Sequence, residues 1–118
     1  MREKVLSRFL NYISIDTQSD PYSETVPSTM KQFDLAKMLV KEMEDMGLED
    51  VTLDDKCYIM AKLPANTEGI SPIGFIAHMD TSPDISGKDV KPRIIENYDG
   101  KDIVLNEEKG IVTSLKDY

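Results

Sequence analysis

The chain has 118 residues, with 14 Lys and Arg against 22 Asp and Glu, a formal net charge of −8 and 40% hydrophobic residues. That length suits one domain of ordinary size, and the composition suits a folded, soluble chain rather than a disordered one. A pI near 4.6 argues against a nucleic-acid binder, which needs a basic stripe to displace counterions from phosphates. A single cysteine, Cys57, excludes an internal disulfide framework and suits a reducing compartment.

Residues 2–15 place Val5, Leu6, Phe9, Leu10 and Ile13 at helical spacing with charges on the other face, which predicts an amphipathic helix. Met1 leads into Arg2, Glu3 and Lys4 with no apolar signal core behind them, so nothing marks export and the expected location is the cytoplasm. Residues 16–28 are polar and punctuated by Pro21 and Pro27, hence loop. Thr29 with Gln32 three positions later has the spacing of a capping box, in which each side chain satisfies an orphan backbone N–H. A second helix is predicted from there, with Met30, Phe33, Ala36, Leu39, Val40, Met43 and Met46 as its apolar stripe and Gly47 as its C-terminal cap.

Residues 51–53 and 57–63 read as two short strands joined through Asp54-Asp55-Lys56. After a loop over 64–72, the apolar run of residues 73–78 predicts a central strand buried on both faces. Residues 70–79 are too short and too polar to span a bilayer, so no membrane partner is expected. Residues 79–92 break into a loop. Three short strands are then expected, at 94–95, 103–105 and 111–113, separated by turn signals at Asp99-Gly100 and Lys109-Gly110. Helix, hairpin and buried strand together predict an α/β layer architecture. The absence of a closing helix after residue 113 suggests the first part of a longer protein.

The chemistry concentrates in His78-Met79-Asp80-Thr81-Ser82-Pro83-Asp84, where the expected strand runs out into a loop. In open α/β sheets ligands bind beyond the carboxyl ends of strands. His78 is the only histidine, so any histidine-dependent metal site or Ser/His pair within this chain must use it. Its ring can offer a neutral nitrogen to Zn²⁺, while Asp80, two residues on, fixes the other nitrogen. By local pattern alone the plainer reading takes precedence: a satisfied histidine beside a turn-forming aspartate, since the triplet is common by chance. One His and one Asp also fall short of the three or four ligands a zinc site wants. Asp54, Asp55 and Asp84 read first as turn residues, Glu107 and Glu108 as a solvated turn, and Cys57 as a small core hydrophobe. Ser82 lacks the Gly-x-Ser-x-Gly setting of a strained nucleophile.

The run over residues 5–17, the helix over 33–47 and above all Ile73-Gly-Phe-Ile-Ala-His-Met-Asp-Thr-Ser-Pro-Asp, followed by Val90-Lys91-Pro92, resemble the tripeptide aminopeptidases of the peptidase T family. That family lies in the zinc-dependent aminopeptidase, carboxypeptidase and deacylase superfamily, and the resemblance covers essentially residues 1–118. It implies the N-terminal part of a three-layer α/β/α catalytic domain that takes short peptides, holding two zinc ions bridged by a carboxylate and a water. His78 is implied as a ligand of one zinc and Asp80 as the carboxylate that orients the His78 ring. The bridging Asp, the general-base Glu, the second His and the domain covering the active site all come later in such proteins, so this chain by itself is expected to be inactive. The alternatives are a related dipeptidase or N-acyl amino acid deacylase, or a non-catalytic acidic interaction domain.

Overall fold

The chain builds two helices, two antiparallel hairpins and a long irregular stretch between them, in a computed structural model that describes residues 1–117. Helix α1 (Arg2–Ile13) ends where Ser14 turns back, its amide and hydroxyl both donating to the Asn11 carbonyl. No residue of α1 is buried; Val5 and Phe9, on the expected inner stripe, are more than half exposed. What ties α1 to α2 (Gln32–Asp45) is polar: the Tyr12 hydroxyl donates to the Glu42 carboxylate, and the Arg8 guanidinium pairs with the same carboxylate.

Helix α2 begins differently from the capping box its sequence suggests. The Thr29 hydroxyl donates to the Gln18 carbonyl at 2.9 Å, and the Gln32 amide reaches back to the Ser28 and Thr29 hydroxyls at 3.2 Å each. A tertiary contact has taken the group that would otherwise have capped the helix. The C-terminus follows expectation. Gly47 adopts φ 78°, its amide donates to Glu44 and the Leu48 amide to Met43, the paired bonds of a Schellman cap. Of the expected stripe only Ala36 is buried, and Met30 and Met46 are exposed; Leu35, outside that stripe, is the other buried apolar residue of the helix.

Strands β1 (Glu49–Leu53) and β2 (Ile59–Lys62) pair antiparallel, Thr52 opposite Met60 and Leu53 opposite Ile59, and pack against α2. The turn between them is organised by Asp54, whose Oδ1 accepts from the Lys56 amide at 3.0 Å and the Tyr58 amide at 2.8 Å. Cys57 sits in that turn at φ 68°, which delays the start of β2 to Ile59. Cys57 is nonetheless buried, at 5% exposure, and completes the small core with Leu35 and Ala36. Strands β3 (Ile103–Asn106) and β4 (Ile111–Thr113) make the second hairpin around a Gly110 turn at φ 63°, and a short 3₁₀ turn follows at Leu115–Asp117. Tyr118, the last residue of the closing stretch, lies outside the described residues.

Two expected strands are corrected. Residues 94–95 form none, and the run over residues 73–78 is irregular and open, with Phe75 94% and Ile76 102% exposed. A strand of that composition needs neighbours on both edges and cover on both faces. The two sheets among the described residues are each closed two-stranded units, and neither reaches it. The chain is accordingly extended. Its radius of gyration is 17.9 Å, against about 13.5 Å for a compact domain of this length. The result is a small α/β unit with two separate antiparallel sheets.

Candidate functional site

The loop that follows the open run is tied down at one point. Thr81 makes a parallel bridge to Gln18: its amide donates to the Thr17 carbonyl at 3.2 Å, and the Ser19 amide donates to the Thr81 carbonyl at 3.0 Å. The Ser19 hydroxyl adds a second bond to that carbonyl at 2.9 Å, and the Gln18 side chain donates to the Pro83 carbonyl at 2.9 Å. Thr17 is 2% exposed, the most buried polar residue described. Its buried backbone carbonyl is satisfied by Thr81, as the cost of an unpaired buried group requires.

Asp16 is the hub of this clamp. Its Oδ1 accepts the Gln18 amide at 3.0 Å, and its Oδ2 accepts from the Lys31 ammonium at 2.9 Å. The Lys31 bond, and then the Gln18 amide, hold the Asp16 carboxyl below the usual carboxylate range. Gly87 brings the far end of the loop against the same group: a Cβ there would lie 2.9 Å from Asp16 Oδ1 and 3.2 Å from the Thr81 hydroxyl. Nothing in composition singles these residues out. The usable local signal is the spacing of Asp16 to Gln18, which suits an Asx turn in which the carboxylate holds the amide two residues on.

Beside the clamp stands the pair drawn from the motif. His78 Nδ1 lies 3.0 Å from Asp80 Oδ1, with the side chains 84% and 43% exposed. When the ring is neutral and its proton sits on Nδ1, donated to Asp80, the Nε2 lone pair is left free for a metal. That is the orienting role of a carboxylate behind a ligating imidazole. The donor set present fits one ligand of a zinc ion and its orienting partner; among the described residues no group of three or more His, Cys, Asp or Glu side chains is gathered to complete it.

The other candidates are absorbed locally. Asp84 accepts from the Ser82 hydroxyl at 2.9 Å, and Asp84's own amide donates to the same hydroxyl at 3.2 Å, so both belong to a turn. Asp54 organises its hairpin turn, and Glu107 and Glu108 are exposed at the tip of the β3–β4 hairpin. Burial, with Asp54 nearby, pushes the Cys57 thiol up, away from the thiolate a nucleophile needs.

No family model matches the chain. Individual relatives do. It is 59% identical over 98% of its length to the peptidase T of Alkaliphilus oremlandii, 60% over 98% to that of Clostridium novyi, and 56% over its full length to that of a Geobacillus species. By sequence, the chain is similar over nearly its whole length to one stretch of peptidase T. The matched stretch is 29% of each of these relatives, so the chain spans well under half of a peptidase T. The match takes in both the clamp and the His78–Asp80 pair. Each of these relatives bears the name of a peptidase. No helix among the described residues is long and apolar enough to cross a membrane.

Proposed function

We propose that this chain is a segment of the catalytic domain of a metal-dependent tripeptide aminopeptidase, which releases the N-terminal residue of short peptides in the cytoplasm. The reading rests on one observation: the His78 ring is held through Nδ1 by Asp80 at 3.0 Å with its Nε2 edge open to solvent, in a chain 59% identical to a peptidase T. In this reading His78 holds a zinc ion through Nε2 and Asp80 fixes the ring's tautomer and direction. A bound metal of this kind polarises the scissile carbonyl and lowers the pKa of a bound water. The chain's own part is to present one ligand in a defined orientation, at the end of a loop pinned by Thr81. The remaining ligands, the general base and a covering domain belong, in this reading, to the stretch of peptidase T that the chain does not match. The three-layer α/β/α domain is likewise proposed for the whole, with residues 73–78 entering its central sheet.

The experiment compares two proteins on tripeptides with zinc or cobalt added. One is the 118-residue chain; the other is the Alkaliphilus oremlandii peptidase T with its matched stretch replaced by this chain. The chimera is expected to release the N-terminal residue and the chain alone to be inactive. Turnover by the chain alone, or a folded chimera that cleaves dipeptides or N-acyl amino acids in preference to tripeptides, overturns the proposal.

A further inference from the structure

The side chains of His78 and Asp80 are open to solvent, so packing does not set where the pair points. Its orientation has to come from the backbone that carries it. Immediately after Asp80, two successive peptide units are held. The Thr81 amide, part of the peptide that leaves Asp80, donates to the Thr17 carbonyl at 3.2 Å, and the Thr81 carbonyl accepts from the Ser19 amide at 3.0 Å. A peptide unit is planar, so fixing that plane restricts the backbone torsion of Asp80. Asp80 Oδ1 in turn lies 3.0 Å from His78 Nδ1.

Residues 17–19 can serve as a fixed point because Asp16 fastens them to α2. Its Oδ1 accepts the Gln18 amide at 3.0 Å, and its Oδ2 accepts from the Lys31 ammonium at 2.9 Å. Lys31 is the N-cap residue of α2, and the Thr29 hydroxyl adds a bond to the Gln18 carbonyl at 2.9 Å. That helix carries the buried Leu35 and Ala36, so the tie runs from the core to the loop. The same carboxylate meets the other end of the loop, where a Cβ on Gly87 would lie 2.9 Å from Oδ1. Both ends of the 81–87 stretch therefore close on Asp16, by bonds that are stronger than neutral ones because the acceptor is ionised.

We propose that Asp16 is a positioning residue for the metal site: through Thr81, rather than by a bond to His78, it sets the direction in which Asp80 presents the His78 ring. This rests on the reading of His78 as a metal ligand. The apparent affinity of a site falls with the fraction of time its ligand is correctly placed, so loosening the clamp weakens metal binding without removing a ligand.

The test measures zinc dissociation constants by chelator competition, and the visible spectrum of the cobalt form, in the chimera of Alkaliphilus oremlandii peptidase T carrying this chain. Asp16→Ala should raise the dissociation constant at least about fivefold and shift the cobalt bands. Asp16→Asn, which still offers an acceptor to the Gln18 amide, should fall between Asp16→Ala and the parent. Asp54→Ala removes a turn-forming aspartate from the β1–β2 hairpin and is the control for a merely structural loss; it should keep the parent's affinity and spectrum. A second measurement needs no metal: in the 118-residue chain, side-chain coupling constants should report one rotamer for Asp80, and averaging in Asp16→Ala.

The proposal is overturned if Asp16→Ala binds zinc as tightly as the parent, if Asp54→Ala weakens zinc equally, or if the Asp80 rotamer is indifferent to Asp16. Should Asp16→Ala not fold, Asp16→Asn decides, and a dissociation constant equal to the parent's overturns the proposal. A His78→Ala chimera that keeps its zinc defeats the metal reading instead. Zinc lost from His78→Ala but held at full affinity by Asp16→Ala defeats the positioning role alone.

Discussion

Gly87→Ala is a one-methyl perturbation aimed at the clamp. Gly87 does not adopt a left-handed conformation, so alanine is allowed by the backbone and should restrict the unfolded chain, a gain of about 0.4–1 kcal/mol at a compatible site. Against this stands a new Cβ at 2.9 Å from Asp16 Oδ1 and 3.2 Å from the Thr81 hydroxyl. The first contact is closer than real Cβ atoms tolerate, and the carboxylate cannot easily rotate away. One oxygen is held by the Gln18 amide and the other by Lys31. Overpacking of this kind costs roughly 1–3 kcal/mol, so the repulsion outweighs the gain and local opening becomes easier by about 1–2 kcal/mol. Since about 1.4 kcal/mol is a factor of ten, the Thr81 and Ser19 amides should exchange some fivefold to thirtyfold faster in Gly87→Ala. In an Asp16→Ala background the same substitution should lose most of its effect, because the group it collides with is gone. Unchanged or slower exchange at Thr81 refutes the reasoning, and so does an equal effect in both backgrounds.

Other expectations follow from the same contacts. Lys31→Met should raise the Asp16 pKa toward the ordinary carboxylate value and speed exchange at Thr81, as a carboxyl titration by NMR can check. Because the Asp16 pKa is lowered in the fold, its contribution is present above the ordinary carboxylate pKa and fades as pH falls through the lowered value; exchange at Thr81 should quicken only there. The Tyr12 hydroxyl is pushed from 10.0 up to about 12 by burial and by its bond to Glu42, so its contribution is complete below pH 10.0 and lost as pH rises toward about 12. Tyrosinate absorbance should show one late-titrating tyrosine that disappears in Tyr12→Phe, and that variant should loosen α1 by about 1 kcal/mol. Leu35→Ala should cost about 2–3 kcal/mol and melt α2 together with the β1–β2 hairpin, because Leu35, Ala36 and Cys57 are the core they share. A circular-dichroism melt unchanged by Leu35→Ala contradicts that.

The elements legible in the sequence are those that carry their own cause. The Schellman cap at Gly47, the Asp54 turn and the Gly110 turn are set by residues within a few positions of each other and form where expected, whereas the α2 stripe is only partly covered, with Ala36 buried and Met30 and Met46 exposed. The run over residues 73–78 was legible only as composition. Whether an apolar run is a buried strand depends on pairing partners, and the described residues supply none. Thr29 shows a competition settled at long range, its hydroxyl spent on the Gln18 carbonyl instead of on the helix cap. The clamp was illegible for a related reason: Gln18 and Ser19 meet Pro83 and Thr81 across 65 and 62 positions, and no local pattern announces such a pairing. The His78–Asp80 pair needed no such reach, since a spacing of two residues was enough to bring the two side chains within 3.0 Å of each other.

The most direct measurement is the zinc content of the chimera after dialysis, with and without His78→Ala. If His78 holds the metal, the substitution removes bound zinc and abolishes tripeptide hydrolysis while the fold persists, and Asp80→Asn weakens metal binding about 10–100-fold. A His78→Ala protein that keeps its full zinc content contradicts the assignment of His78 as a ligand.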